Sequence, residues 1–513
     1  MLLLVTTTFA STLKVGSSQT YTTIQDAVNA SADGDEIQVD AGTYAESVSV
    51  DKNVSITTSA SAEVSPPNGK NAFRMDGVEG TISGFTINGA NQSAIWIDGG
   101  DLNLDSLTID GGGASSIHGG GVYITGGAEV DFADVVIEDT VAQKGGAVYI
   151  DDSSSVVMES VEIDGTSATW GGAVRIEDSE LYADTLEVVD VSASNNGGAF
   201  FIDGSTVEFI DLTITDPVGD KTAGVGLFLS DHSTLTWTGG ELTGAAATNY
   251  SLGYDGGGLR ATGGSSVTLT NVSIEDCVAY RGGAISLDGG STGSFDTVSF
   301  DGNNASRSGG ALDLAASGVS ADCTDCTFSD NSAKEGGAVN VESGASYEDD
   351  NGDYDSNQAQ VGGAVYLQAE ATFVDSNFES NDATNGPGGA IYAYQLSDTV
   401  TLDGVWFSSN TATDDGGAVA ADNKVALVIS DSNFSYNESG ANGGAVAFAP
   451  DSSSSWDLTV NDSTFEANVT TDDGGAVFVD KGEEIVFTDT WFEDNEADNG
   501  GALYIDSSDA VEV

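Results

Sequence analysis

The sequence predicts an all-β solenoid, a parallel β-helix built from short strands, on the basis of three observations. A Gly-Gly pair recurs at intervals of about 26 residues from Gly119 onward. The residues after each pair alternate between apolar and other side chains, as in Val148, Tyr149 and Ile150. An aromatic residue followed three positions later by asparagine recurs in eight consecutive repeats. Such a period indicates one structural unit repeated along the chain rather than a series of unrelated domains.

The composition excludes several classes of partner. The 513 residues include 82 Asp and Glu against 13 Lys and Arg, which gives a formal net charge of -69. Nucleic acids and anionic membranes are polyanions, so we expect no nucleic-acid binding. The 39% of hydrophobic residues is enough for a continuous core. The composition therefore predicts a folded protein with a strongly acidic, solvated surface.

The first residues predict export and an N-terminal cap. Residues 1–10 are interpreted as a truncated signal segment, which implies a secreted or cell-surface protein, with outer-membrane association as a further option. Residues 11–56 are predicted to form the cap and the first coils. Ile24, Ala27 and Val28 follow the spacing of a short amphipathic capping helix, with Thr22 or Thr23 as its N-cap.

The remaining residues, 57–513, are predicted to form coils of about 26 residues whose C-terminal end has no recognisable cap. No apolar run approaches the roughly 18 residues of a membrane-spanning helix, so we expect no direct membrane insertion. Cys323 and Cys326 are expected to point to opposite faces of an extended segment and are interpreted as core or turn thiols.

The stretch from Tyr21 to Ile56, including GTYAE at Gly42 to Glu46, resembles the opening of pectin esterases and other single-stranded right-handed parallel β-helices of the pectate-lyase-like superfold. The catalytic segments of pectin esterases and polygalacturonases have no counterpart in this sequence. The resemblance therefore implies a fold rather than an activity.

The recurring asparagines are predicted to stack into a structural ladder. Asparagine tolerates turn conformations, and its amide can hydrogen bond to the coils above and below, while the aromatic ring three residues earlier fills the core. The asparagines are Asn303, Asn331, Asn357, Asn381, Asn410, Asn437, Asn468 and Asn495.

Paired GGA(I/L/V) and FxxN motifs over roughly residues 119–505 resemble the repeats of chlamydial polymorphic outer-membrane proteins. The resemblance implies a surface-exposed β-helix with an adhesive or structural role. A polysaccharide or another surface protein would then be its partner.

The first candidate site is a column of outward-pointing residues at equivalent positions on successive coils. Aromatic rings, arginines and carboxylates suit stacking on and hydrogen bonding to a polysaccharide, although the same residues could simply pair across strands. The predicted groove consists of Tyr123, Tyr149, Arg175, Phe201, Phe228 and Arg260, with Asp151, Glu177 and Asp203 beside it.

A column of acidic residues three positions before the aromatic residue is the second candidate. Repelling carboxylates would recruit a cation, and calcium prefers oxygen ligands, so Asp431, Asp462 and Asp489 are predicted calcium ligands. The alternative is that each forms a turn at a corner of the coil.

Together these patterns predict an exported, acidic β-helix with a structural or adhesive role and no enzymatic activity. The alternative is a carbohydrate-active β-helix that binds polysaccharide or cleaves it as a calcium-dependent lyase. Lyase chemistry needs a basic group beside carboxylates, and Arg175 with Asp151, Glu177 and Asp203 is the one grouping that offers it. No residue is assigned as catalytic.

Overall fold

The computed structural model describes residues 10–89, 91–219, 223–247, 253–396, 398–450 and 456–513, apart from the side chain of Asp509. The predicted signal segment therefore lies outside the described residues except for Ala10. The chain divides into two compact units, Met1–Thr222 and Ala223–Val513. Within each unit, strands of successive coils pair in parallel, each with its equivalent in the next coil. The predicted all-β solenoid is confirmed.

The described part of the N-terminal unit contains one helix and nineteen strands. They are β1 (Thr12–Val15), α1 (Ile24–Ala30), β2 (Glu36–Val39), β3 (Gly42–Tyr44), β4 (Val48–Val50), β5 (Ser55–Val64), β6 (Phe73–Asn88), β7 (Ile95–Asp105), β8 (Thr108–Asp110), β9 (Val122–Thr125), β10 (Glu129–Glu138), β11 (Val148–Ile150), β12 (Ser155–Asp164), β13 (Ser167–Ala168), β14 (Val174–Glu177), β15 (Glu180–Val189), β16 (Ser192–Ala193), β17 (Phe200–Asp203), β18 (Thr206–Thr215) and β19 (Val218–Gly219).

The described part of the C-terminal unit consists of strands and turns. Its strands are β20 (Leu227–Ser230), β21 (Thr234–Thr243), β22 (Ala246–Ala247), β23 (Leu259–Ala261), β24 (Ser266–Thr270), β25 (Ser273–Glu275), β26 (Val278–Arg281), β27 (Ile285–Leu287), β28 (Thr292–Asp296), β29 (Ser299–Asp301), β30 (Asn304–Ser308), β31 (Leu312–Leu314), β32 (Ser320–Thr324), β33 (Thr327–Ser329), β34 (Val339–Val341), β35 (Ser346–Asp350), β36 (Asp353–Asp355), β37 (Gln358–Ala359), β38 (Val365–Leu367), β39 (Ala371–Val374), β40 (Asn377–Glu379), β41 (Asp382–Ala383), β42 (Ile391–Tyr394), β43 (Asp398–Asp403), β44 (Trp406–Ser408), β45 (Thr411–Ala412), β46 (Val419–Asp422), β47 (Val425–Ser430), β48 (Asn433–Ser435), β49 (Glu438–Ser439), β50 (Val446–Ala449), β51 (Leu458–Asn461), β52 (Thr464–Glu466), β53 (Val469–Thr470), β54 (Val477–Thr488), β55 (Trp491–Glu493) and β56 (Leu503–Glu512).

Each coil has three faces, which the coil from Gly145 to Ala168 illustrates. Face A is the strand that follows Gly-Gly (here β11), face B is the longer segment that comes next (β12), and face C is a short strand (β13). Gly145 has a φ of 60°, a left-handed conformation that glycine adopts without strain. A Cβ atom on Gly146 would lie 1.9 Å from the carbonyl oxygen of Gly172 in the next coil. Gly-Gly therefore combines a tight bend with close contact between coils.

The core follows the alternation that the sequence predicts. Val148 and Ile150 are fully buried, as are the equivalent residues in the coils that follow up to Val477 and Val479. The predicted capping helix is α1, where the hydroxyl of Thr23 accepts a hydrogen bond from the backbone N–H of Asp26. Its buried side chains are the predicted ones, which cover the first coils.

The eight asparagines form a continuous ladder inside the C-terminal unit. The backbone N–H of each asparagine except the last, Asn495, donates to the Oδ1 atom of the asparagine in the next coil at 3.0 to 3.1 Å. From Asn331 onward, Nδ2 donates to the carbonyl of the aromatic residue in the preceding coil at 2.9 to 3.1 Å. The aromatic rings stack alongside, with centroids 4.3 to 5.1 Å apart. Both motif residues therefore have structural roles.

The orientation predicted for Cys323 and Cys326 is wrong. Asp325, between them, has a φ of 52° and turns the chain at the corner between β32 and β33. Because of this corner, both thiols are buried instead of pointing to opposite faces. Their interpretation as core thiols holds, and both are free cysteines.

Candidate functional site

The outer side of face A in the N-terminal unit carries a column of six residues, which we call the outward column. The parallel register places them side by side on successive coils as Arg74, Trp96, Tyr123, Tyr149, Arg175 and Phe201. The last four belong to the predicted groove, and the structure brings them together. The sequence did not predict Arg74 and Trp96 as members because no Gly-Gly pair directly precedes their strands. The buried neighbours on either side, such as Phe73 and Met75, could have marked them through strand alternation.

The rings of the outward column stack on one another. The centroids of Trp96 and Tyr123 are 6.4 Å apart with 9° between the ring planes, and those of Tyr123 and Tyr149 are 5.2 Å apart with 22°. His118 packs edge-on against both tyrosines. The ring faces are therefore largely directed along the column, so a sugar would meet ring edges rather than an open stacking platform.

At the Arg175 end of the column the charges are neutralised. Glu177 accepts hydrogen bonds from Lys144 at 2.9 Å and from the hydroxyl of Tyr149, and it forms an ion pair with Arg175. The guanidinium of Arg175 lies 4.2 Å from the ring centroid of Phe201, and Arg175 is 8% exposed. This end is a closed ionic cluster with its own counter-charge.

The protonation states follow from these contacts. Burial would raise the pKa of Glu177, but hydrogen bonds from Tyr149 and Lys144, with the charge of Arg175, hold that pKa below its ordinary value. Burial and the bond to Glu177 raise the pKa of Tyr149 far above its usual range. Burial and the charge of Lys144 lower the pKa of His118. The carboxylate of Glu177 is therefore ionised, and the hydroxyl of Tyr149 keeps its proton.

The two other predicted carboxylates lie beside the same column. The hydroxyl of Tyr123 donates to Asp151 at 3.3 Å. Asp203 pairs in register with Glu177 on the neighbouring strand. The structure thus collects the predicted acidic residues of this unit on one surface.

At the Arg74 end the arrangement is different. The guanidinium of Arg74 lies 3.5 Å from the ring centroid of Trp96, at the edge of a cleft of about 670 Å³. Lys70, His118 and Tyr123 also line this cleft, together with uncharged side chains and a glycine. No Asp or Glu lines it, although the chain has 82 of them. We call it the Arg74 cleft.

The other two groove residues lie in the C-terminal unit. Phe228 and Arg260 are neighbours in register on β20 and β23, and Arg260 forms an ion pair with Asp288 at 2.6 Å. The same row continues through buried Ser286 and Asp313. Burial raises the pKa of Asp313 to about 7. Beyond Arg260 the row is therefore buried and polar.

The predicted calcium ligands lie at corners of the coils. Asp431, Asp462 and Asp489 have φ angles of 49°, 47° and 48° and separate the two halves of face B. This geometry agrees with the alternative interpretation as turn residues. Within the described residues, no group of three or more His, Cys, Asp or Glu side chains is arranged to hold a metal ion. Calcium binding stays a prediction.

The parallel pairing of strands on successive coils defines a parallel β-helix, and comparisons with known proteins agree with this fold. Residues 71–242 match a family model described as right-handed beta helix region. Residues 325–342 match the Chlamydia polymorphic membrane protein repeat. The chain is thus a right-handed parallel β-helix that carries a repeat of the kind found in those proteins.

The comparison with solved structures found a PL6 family alginate lyase, AlyGC, in two structures. An arginine-to-alanine mutant is 10% identical with a TM-score of 0.24, and a second structure is 8% identical with a TM-score of 0.17. Each alignment covers 98% of this chain and 100% of the other. Scores this low carry no argument about the site. None of the curated proteins compared with the chain matches it significantly.

One further finding concerns membranes. Among the described residues, no helix has both the length and the apolar character that crossing a membrane would require.

Proposed function

We propose that this chain is a surface-exposed or extracellular β-helix with a structural or adhesive role, exported and non-enzymatic. The observation that carries the proposal is the asparagine ladder with its stacked rings. Residues Asn303 to Asn468 of the ladder are fully buried, so the most regular motif of the chain serves coil stacking and leaves nothing for a substrate to contact.

The similarity to the Chlamydia polymorphic membrane protein repeat supports a surface location. The acidic surface supports the same location, because a net charge of -69 keeps an exposed solenoid soluble and prevents coil-to-coil association between molecules. The partners of such a protein would be a polysaccharide or another surface protein.

The state of Arg175 supports a non-enzymatic role. A general base must reach the proton that it removes. Arg175 is largely buried, rests on Phe201 and is paired with Glu177, so its guanidinium is occupied by contacts within the chain.

A lyase assay tests this part of the proposal. The purified chain is incubated with polygalacturonate and with alginate in the presence of calcium, and the ultraviolet absorbance of unsaturated product is followed. We expect no product. Steady release of product that is lost in Arg175→Ala, but retained in Arg260→Ala, would refute the non-enzymatic proposal. Surface biotinylation of intact cells that make the protein tests its location, and a protein labelled only after lysis would refute surface exposure.

A second candidate function, polysaccharide binding, is favoured by the Arg74 cleft. This cleft combines cationic groups with hydroxyl, amide and aromatic side chains, which are the groups that recognise sugars. Binding of a polysaccharide in this cleft would explain how the protein adheres.

A further inference from the structure

The two arginines of the outward column differ in one decisive respect. Arg175 has a carboxylate partner in Glu177. In the part of the chain that the structure describes, neither Arg74 nor Lys70 forms an ion pair with any carboxylate. Arg74 therefore lies at a cleft without the ion-paired carboxylate that Arg175 has.

The surroundings of Arg74 keep it in place without neutralising it. Its guanidinium lies over Trp96, a cation–π contact that orients the planar group. Asp76 and Asp98 follow two residues later on the same strands, but they do not line the cleft. Among the residues that the structure describes, the guanidinium therefore has no ion-paired carboxylate partner.

We propose that the Arg74 cleft binds an oligosaccharide that carries a single anionic group, a carboxylate or a sulfate ester, with Arg74 as the anchor of that group. The proposal rests on the adhesive role proposed above and names its ligand. A guanidinium forms two parallel hydrogen bonds to such an oxyanion. Lys70 adds a second positive charge at the same cleft.

The rest of the lining fits the neutral part of such a ligand. Asn71, Gln92 and Ser49 offer amide and hydroxyl groups that both donate and accept hydrogen bonds, as sugar hydroxyls require. The edges of Trp96 and Tyr123 add apolar contact area. A volume of about 670 Å³ lies within the usual range of ligand clefts.

The charge of the chain restricts the ligand further. A net charge of -69 repels long polyanions, but screening over about 8 Å at physiological salt leaves the local cations of the cleft effective at short range. A mostly neutral glycan with one acidic group escapes the long-range repulsion and still offers an anion to the cations of the cleft. A densely charged polymer also offers anions to the cleft, but the net charge of the chain repels it.

Isothermal titration calorimetry on the full chain tests the proposal with three matched tetrasaccharides. They are xylotriose bearing one glucuronate, xylotetraose bearing one sulfate ester, and uncharged xylotetraose. We expect at least one acidic probe to bind about tenfold or more tightly than xylotetraose, because it gains charge-assisted hydrogen bonds. The stronger acidic probe identifies the anionic group.

Two variants locate the contact. Arg74→Gln should reduce the affinity for the acidic probe about tenfold and leave the affinity for xylotetraose unchanged, whereas the control Arg307→Gln, at a partly buried arginine of the C-terminal unit, should retain the affinity for both. Circular dichroism checks that each variant keeps its fold. The comparison of acidic and neutral probes on the unmodified chain stands even if a variant fails to fold.

Three results would overturn the proposal. They are equal affinity for the acidic and neutral probes or no binding of either, an Arg74→Gln chain that binds the acidic probe normally, and equal binding of a short blocked peptide with one carboxylate. Surface biotinylation is independent of these results, so a protein that is surface-exposed but binds none of the probes would refute the ligand and not the location.

Discussion

The buried asparagine ladder of the C-terminal unit and the outward column of the N-terminal unit both place one side chain per coil in register. In the ladder, the same residue recurs and each member satisfies its neighbours. In the outward column the residue type varies among arginine, tryptophan, tyrosine and phenylalanine, and only one end is neutralised. Repetition of one residue therefore stabilises the coils, whereas side chains that can bind a ligand are found where the repeat is broken.

The largest expected effect is on the ladder. Asn381→Ala removes the acceptor of the Asn357 backbone N–H and Nδ2 groups and the donor to the Tyr354 carbonyl, all at a buried site. Leaving these groups unsatisfied should cost about 3 kcal/mol or more of unfolding free energy. Urea denaturation followed by tryptophan fluorescence measures the change.

The matched control is Asn304→Ala, an exposed asparagine in the same unit, which should change stability by less than about 1 kcal/mol. Similar losses in both variants would show that the ladder does not stabilise the coils more than surface contacts do.

The next effect concerns the neutralised end of the outward column. Glu177→Gln leaves Lys144 and Arg175 without their counter-charge in a partly buried cluster, which should cost about 2 kcal/mol. Glu187→Gln, an exposed change on β15, is the control and should have little effect. Equal stability of the two variants would contradict the assignment of Glu177 as the counter-charge of this end.

The smallest expected effect is on pH dependence at the Arg74 cleft. His118 lines the cleft and packs against Tyr123 and Tyr149; burial and Lys144 lower its pKa, opposed by Asp151 and Glu177. Protonation therefore sets in only below its ordinary value of 6.5 and adds a positive charge as pH falls. A carboxylate ligand stays ionised above about pH 4.

The affinity for the glucuronate-bearing probe should accordingly rise a few-fold when the pH is lowered from about 7.5 to about 5.5. Calorimetry at several pH values measures this trend, with His118→Gln as the variant expected to lose it. An affinity that falls on acidification, or an unchanged trend in the variant, would contradict the role of His118.

The interior of the coils could be predicted from the sequence because each coil repeats the same pattern. The alternation around Val148 and the spacing of Phe300 and Asn303 are sufficient to place core and ladder. The Cys323–Cys326 corner was mispredicted because the left-handed conformation of Asp325 cannot be recognised from strand alternation alone.

The outward column could be predicted only in part. Tyr149 occupies an outward position but is buried because His118 and Lys144 fold over it from another corner of the coil. The ion pair between Lys144 and Glu177 joins neighbouring coils through side chains, which no spacing rule anticipates. Arg74 lies in a coil without the repeat motif, so only the observed register of β6 and β7 reveals that it belongs to the column.

Hydrogen–deuterium exchange of the full chain, with and without the glucuronate-bearing tetrasaccharide, tests the central claim that chemistry is available where the repeat is broken. If this claim is correct, the ligand should slow exchange in the segments that line the Arg74 cleft, 47–49, 69–74, 92–96 and 116–123, and leave the ladder segment 300–495 and the Arg175 strand unchanged. Slower exchange in the ladder or around Arg175, or no change in any segment, would contradict it.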